Sequence, residues 1–193
     1  MKLKYPLEFN LAPHSWVLPD DYDQMEELME YQAMQKRMYI LKPNASSCGR
    51  GIRVVQGTSK FTHKDDTIVS FYLDRPLLIN NKKFDLRIYI LVTSYNPLRV
   101  YMYDEGLARF ATEPYTNDPD VLKNKFVHLT NFSVNKRNIK NYVKNDGKHM
   151  TDGQSKPSED TGGNEEDLDQ ENSSKWSLHF LRKYISKKFS QAK

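Results

Sequence analysis

The sequence predicts an α+β fold: a short helix, an antiparallel sheet and a closing amphipathic helix. Three observations carry that reading. A run near the N-terminus has helical spacing, several short apolar stretches are punctuated by turn residues, and the residues from Phe84 onward alternate with period two. At 193 residues the chain is long enough for one domain with a real core, or for a large fragment of a bigger one.

After Pro19, DDYDQMEELMEYQAMQKRM opens with acids and ends with Lys36 and Arg37, matching the sign of a helix dipole at both ends. Met25, Leu28, Met29, Met34 and Met38 give this predicted helix a rough apolar face. YILK reads as a strand, NASSCGRG as a loop, IRVVQ as a second strand and TIVSFYL as a third, so the glycines sit between strands. From Phe84, the residues Phe84, Leu86, Ile88, Ile90 and Val92 alternate with Asp85, Arg87, Tyr89 and Leu91. One face is expected to be core and the other to present Asp85 and Arg87 together. Tyr95-Asn96-Pro97 predicts a turn, Leu98 to Tyr103 alternates again, and Asp104-Glu105-Gly106 predicts a further turn into LARFA. The result is an antiparallel meander with Arg109 on its last strand.

From about Asn138 to Ser174 periodicity gives way to Asn, Asp, Gly, Ser and Glu, which predicts a disordered insertion. KWSLHFLRKYISKKF then predicts a basic amphipathic helix with Trp176, Phe180, Tyr184 and Ile185 on one face. The expected organisation is an N-terminal segment and helix over 1–36, a core over 37–137, an acidic insertion over 138–174 and a helix over 175–193.

The net charge of +4 is unevenly spread: Asp152 to Glu171 holds eight acids against Lys156, a charge of −7, leaving +11 on the rest. Such a surplus attracts a polyanion, whether nucleic acid, anionic lipid or an acidic protein tail, unless it is simply solvated lysine. No stretch approaches the ~18 apolar residues of a membrane span, and MKLKYPLEFN lacks the apolar block of a signal peptide. A single cysteine, Cys48, excludes an internal disulfide and gives no metal cluster, so a soluble cytosolic chain is expected.

Three places are candidates for chemistry. Lys42 ends a strand and precedes Ser46, Ser47, Gly49, Arg50 and Gly51, small and cationic residues that let backbone N–H groups approach phosphate. It is not a GxxxxGK[ST] loop, and taken alone it is better explained as an ordinary glycine hairpin. Arg87 and Arg109 on neighbouring strands are suited to a phosphate or carboxylate, or to salt bridges on a sheet surface; Asp85 is similarly open. HLTNFSVNK packs His128, Thr130, Asn131, Ser133, Asn135 and Lys136 into nine residues, a density that marks a site or a turn.

The order of these segments is more specific than any one of them. SWVLP, YILKPNASSCGRGI, SFYLDRPLLINNKKFDLRIYILVTSYNPLRVYMYDEGLARFATEPY and NKFVHLTNFSVNK together resemble the tubulin tyrosine ligase-like family, in its polyglutamylase branch. The likeness runs from about Ser15 to Lys136 and resumes at KWSL. It implies an ATP-grasp-like fold, C-terminally incomplete here, in which two α+β subdomains hold ATP. By that likeness Lys42, Gly49, Arg50, Gly51 and Ile52 face the ATP phosphates, and Ser70, Phe71, Tyr72 and Leu73 form the hinge strand beside adenine. Lys83 and Asp85 complete the nucleotide pocket. Arg87 and Arg109 hold the γ-phosphate and the incoming amino acid, Thr130 and Asn131 lie close to ATP and magnesium, and Phe132, Ser133 and Lys175 lie near free L-glutamate.

In the implied reaction a glutamate carboxylate of a tubulin C-terminal tail attacks the γ-phosphate of ATP to give an acyl phosphate, and the amine of free glutamate then displaces phosphate to form an isopeptide or peptide bond. ATP and Mg2+ are the implied cofactors, and a monomer on microtubules, in the cytoplasm or at a ciliary axoneme or basal body, is the implied setting. Nucleic acid accounts for the charge but not for the ordered motifs. Cys48 stands where the family usually has arginine in its loop, Phe71 replaces a polar or basic hinge residue, and Phe132 replaces a tyrosine. The family's magnesium-binding Asp and Glu-x-Asn, which follow the KWSL-like helix, do not appear between that helix and Lys193, and the Glu-x-Asn of Glu8-Phe9-Asn10 is far upstream and out of order, so no metal ligand is assigned and the chain by itself is expected to be inactive. A non-catalytic nucleotide- or tubulin-binding protein, a glycylase and a tyrosine ligase are the alternatives.

Overall fold

The computed structural model describes residues 10–29, 31, 34, 36–57, 66–144 and 171–189. Those within 1–76 and 116–128 form one compact unit, and those within 77–115 and 129–193 form another.

The first unit is a four-stranded antiparallel sheet in the order β1 (Ser15–Leu18), β4 (Thr67–Phe71), β2 (Met38–Pro43), β3 (Arg53–Gln56), with α1 (Tyr22–Met29) between β1 and β2 in the chain. Period-two alternation sends Tyr39 and Leu41 of β2, Val69 of β4 and Trp16 and Leu18 of β1 into one core with Met25 and Val55. Each such fully buried side chain contributes roughly 1.5–3 kcal/mol. The Asp21 carboxylate accepts the Val17 amide at 2.7 Å, and Tyr22 N donates to Pro19 O at 3.0 Å, fixing the turn into α1.

Met38, assigned from spacing to the apolar face of this helix, instead opens β2, because pairing with β3 and β4 overrides local helical preference. Met34 still packs on the core, where its carbonyl accepts the Tyr39 hydroxyl at 3.0 Å. β1 was not expected as a strand: two alternations in four residues are too few to register. A 3₁₀ turn (Pro119–Val121) and the one-turn helix α2 (Lys125–His128) complete the described part of this unit.

The second unit has the sheet order β5 (Leu78–Ile79), β6 (Lys82–Tyr95), β7 (Leu98–Phe110), β8 (Lys175–Ser177), with α3 (Phe132–Asn135) and α4 (Leu178–Phe189). Asn80 and Asn81, at φ 50° and 59°, join β5 to β6 in a two-residue hairpin whose primed turn needs such angles. The Asn96-Pro97 turn forms as expected between paired Tyr95 and Leu98.

Four expectations change here. Asp104-Glu105-Gly106 is no turn: β7 runs on, and Ile88 pairs with Gly106 while Ile90 pairs with Met102, so Tyr103 to Glu105 bulge opposite Tyr89. Glycine is required there, since a Cβ at position 106 would lie 2.3 Å from Arg87 O and 2.8 Å from Leu178 Cδ1. Among the described residues, the alternating face expected as core is covered only at one end, where Ala108, Phe110, Trp176, Leu178, Phe180 and Leu181 cluster with Phe84. Leu86, Ile88, Ile90 and Val92 stay 39–61% exposed. Trp176 sits on β8, not on the helix, though Phe180 and Tyr184 of α4 do pack against its ring at 4.9 and 5.0 Å.

The insertion is also narrower than Asn138 to Ser174. Tyr142, Ser173 and Ser174 are buried, and Ser174 N donates to Val143 O at 2.9 Å while Val143 N donates to Ser174 Oγ at 3.0 Å. The rest of the predicted disorder, 145–170, lies outside the described residues.

Candidate functional site

In the first unit the face of the sheet opposite the core carries Lys42, in register with Ile68, and Ser70, in register with Ile40. Lys42 is exposed, and the Ser70 hydroxyl lies 2.7 Å from that of Ser15. Past β2 the loop turns sharply: Cys48, Gly49 and Gly51 all have positive φ, at 60°, 77° and 71°. Arg50, whose φ is not positive, lies between the left-handed Gly49 and Gly51, and such alternation of hand in a turn is what brings successive backbone N–H groups toward an anion. Arg50 is exposed and its guanidinium donates to Ser47 Oγ at 3.2 Å, while Ser46 Oγ donates to Arg50 O at 3.0 Å. Ile52 lies just before β3, half-buried.

The four hinge candidates divide. Ser70 and Phe71 end β4, and Tyr72 and Leu73 lie beyond it. Phe71 belongs to the core face, edge-on to Trp16 at 5.1 Å with the Arg37 guanidinium 4.3 Å above its ring. Tyr72 is buried, its hydroxyl 3.0 Å from His128 Nδ1, which gives His128 a structural partner. The amides of Phe71 and Tyr72 donate to His14 O and Met38 O, and Leu73 is exposed.

In the second unit the sheet register brings cations together. Asp85 of β6 is opposite Arg109 of β7, which is opposite Lys175 of β8. Arg109 Nε and Nη2 donate to the two Asp85 oxygens at 2.9 and 2.5 Å. That bond holds the guanidinium charged, raising its pKa further above the ordinary arginine value. Burial, and then the charge of Arg109, pushes the Lys175 ammonium below the usual lysine range. Its Nζ lies 4.1 Å from the centre of the Phe132 ring, with Lys136 Nζ at 5.5 Å from that centre. Because the Asp85–Arg109 pair is partly exposed, it contributes at most about 1 kcal/mol to stability. Its value is orientation.

Arg87 shares the face of Asp85 but stands apart from this group, its guanidinium 5.4 Å from the Tyr89 ring. Lys83 is half-buried next to Phe84 on β6. Thr130 and Asn131 occupy the link into α3, whose cap residue is Asn131, and Phe132 and Ser133 open the helix itself. What sequence reasoning did not single out is how that link is held: Asn135, buried at 1% exposure, bonds to Leu129, Asn131 and Thr112. The only signal for it was its place in the polar cluster.

Among the described residues no group of three or more His, Cys, Asp or Glu is placed to hold a metal ion. Magnesium asks for carboxylate oxygens, and Asp85, the one carboxylate in the group around Arg109, is bound to arginine. The residues present therefore fit an anion better than a cation. Among the described residues, no helix is long and apolar enough to cross a membrane.

The chain is similar to several proteins named as tubulin glutamylases. Tubulin monoglutamylase TTLL4 of Mus musculus is 46% identical over 131 residues, covering 68% of this chain and 11% of that protein. Tubulin polyglutamylase TTLL13 of Mus musculus is 42% identical over 148 residues, covering 76% and 18%. Tubulin polyglutamylase TTLL5 of Homo sapiens is 43% identical over 129 residues, covering 67% and 10%. The chain thus spans less than a fifth of the length of each of these relatives. The profile of the tubulin-tyrosine ligase family matches residues 1–191, and with relatives of this identity the chain belongs to that family.

Proposed function

We propose that this chain is part of an ATP-dependent ligase of ATP-grasp type that adds glutamate to glutamate residues in tubulin C-terminal tails. The observation that carries the reading is the cross-strand row Asp85, Arg109, Lys175, with Phe132 beneath the lysine, in a chain whose relatives are named tubulin glutamylases. Joining two carboxylate-bearing substrates through a nucleotide gathers negative charge, and fixed cations offset it without reorganising. Arg109, oriented by Asp85, holds the reacting phosphoryl and the incoming amino acid. Lys175 and the Phe132 edge of α3, with Ser133, receive free glutamate. Arg87 contributes charge from the same strand face.

ATP supplies the phosphoryl group that activates the acceptor carboxylate. Lys42 and the Gly49, Arg50, Gly51 and Ile52 turn bind its phosphates, and Ser70 to Leu73 flank its base, with Lys83, Asp85, Thr130 and Asn131 completing the contacts. The described residues assemble no magnesium cage, so the charge counted on here is that of Lys42, Arg50, Arg109 and Lys175. The acceptor tail is acidic, which suits the +11 outside Asp152 to Glu171. The protein acts as a monomer on microtubules, including those of cilia.

The test uses the protein at the length the cell makes it, incubated with ATP, magnesium, microtubules and radiolabelled glutamate or glycine. Label from glutamate enters tubulin, and Arg109→Ala lowers transfer by about 10²–10³-fold with the fold intact. Undiminished transfer by that variant removes Arg109 from the reaction, and label from glycine alone overturns the choice of donor.

A further inference from the structure

The side chain of Asn135 uses its full hydrogen-bonding capacity in the interior. Its Oδ1 accepts from Thr112 N at 3.0 Å and from Thr112 Oγ1 at 2.8 Å; its Nδ2 donates to Leu129 O at 2.7 Å and to Asn131 O at 3.1 Å. Two acceptor sites and two donors are all that an amide has, and swapping O for N would set donors against donors, so the orientation is fixed. Thr112 lies three residues past Arg109, just beyond the end of β7. Asn138 extends the network, its Nδ2 donating to Thr112 Oγ1 at 3.1 Å and to Glu113 Oε1 at 2.9 Å.

The consequence falls on Thr130 and Asn131. With the carbonyls of Leu129 and Asn131 both turned toward Asn135, planar trans peptides turn the N–H groups of Thr130 and Phe132 the opposite way. Asn131 is the cap residue of α3, where an asparagine side chain ordinarily accepts an amide of the first turn, yet it makes no such bond. The Val134 and Asn135 amides donate instead to the Asn131 carbonyl at 3.0 Å each, which Asn135 Nδ2 also holds, so the bonds of this turn do not use the Asn131 side chain.

We propose that Asn135 is a positioning residue of the ligase, clamping the Leu129–Asn131 backbone to Thr112 so that the Asn131 amide is kept for substrate beside the strand that carries Arg109. This rests on the reading of the chain as a glutamate ligase. A displacement of about 1 Å at a reacting group costs on the order of 10²-fold in rate. Asn135 touches no substrate itself, and its effect is expected in turnover more than in binding.

Asn135→Asp tests it at constant size, retaining the acceptor for Thr112 while losing both donors. In the glutamylation assay with the natural-length protein, kcat per folded molecule falls by about 10²-fold while KM for ATP moves by less than about threefold. Thr112→Val, which keeps the backbone bond, loses about tenfold, and Thr112→Ser recovers most of that loss. If Asn135→Asp does not fold, the Thr112 pair carries the test. A lowered Tm with kcat unchanged in Asn135→Asp, or in Thr112→Val, makes the network purely structural and overturns the proposal. A wild-type protein with no ligase activity sinks the functional reading and this inference together, whereas an active wild type with a fully active variant sinks only the inference.

Discussion

The two sheets have four strands each and similar apolar content, but they are covered very differently. In the first, β1, β2 and β4 place Trp16, Leu18, Tyr39, Leu41 and Val69 at 2% exposure or less. In the second, β6 and β7 are more than twice as long as any strand of the first, and burial is confined to the end near Ala108 and Trp176. Further along the hairpin Ile90, Leu91, Val100, Tyr101 and Met102 are all at least half exposed. Alternation along a strand thus specifies which residues share a face, while coverage of that face depends on what packs against it. Of the candidate cations, Arg109 and Lys175 lie at the covered end, where Asp85 and Phe132 adjoin them.

Substitutions can break or sharpen that contrast. Trp176→Ala removes the centre of the second core, in contact with Phe110, Phe180 and Tyr184, and is expected to destabilise that unit by about 3–5 kcal/mol in denaturant unfolding. Hydrogen exchange should place the loss in β7, β8 and α4. A cost near zero would show that the second unit has no core of its own.

Gly106→Ala puts a methyl into the bulge against Arg87 O and Leu178, and is expected to cost about 1–3 kcal/mol by the same measurement. A neutral result would mean that the bulge relaxes and that α4 is held less tightly than its contacts imply. Smallest is Ile90→Thr on the open part of the hairpin, expected within about 0.5 kcal/mol of wild type. A loss well above 1 kcal/mol would reveal that this face is covered in solution.

Much of the fold was legible because its punctuation is local. β2, β3 and β4 fall within about two residues of the expected strands, since Asn44 to Gly51 and Gly57 separate them unambiguously. The Asn96-Pro97 turn is equally local. Gly106 was legible as irregularity but not as kind: a glycine after two acids signals a turn or a bulge, and only the register of β6 against β7 decides. Trp176 shows the same limit, because the spacing of Trp176, Phe180 and Tyr184 suits a helix even when the first of them sits on a strand that leads into it.

For the candidate site, adjacency of the strands carrying Arg87 and Arg109 followed from the hairpin pattern. Which arginine meets Asp85 depended on a register set by a bulge. The clamp by Asn135 was invisible, since its partner Thr112 lies 23 residues earlier and nothing in the local pattern joins them.

The bonds between Val143 and Ser174 have one more effect. Any polypeptide running from one to the other departs and returns at a single point, and the entropy of closing such an excursion grows only logarithmically with its length. Doubling the number of residues there costs only about 0.6 kcal/mol. Insertions, deletions and changes of composition between these two anchors can therefore accumulate over evolutionary time while Lys175 and Trp176, immediately downstream, stay where they are.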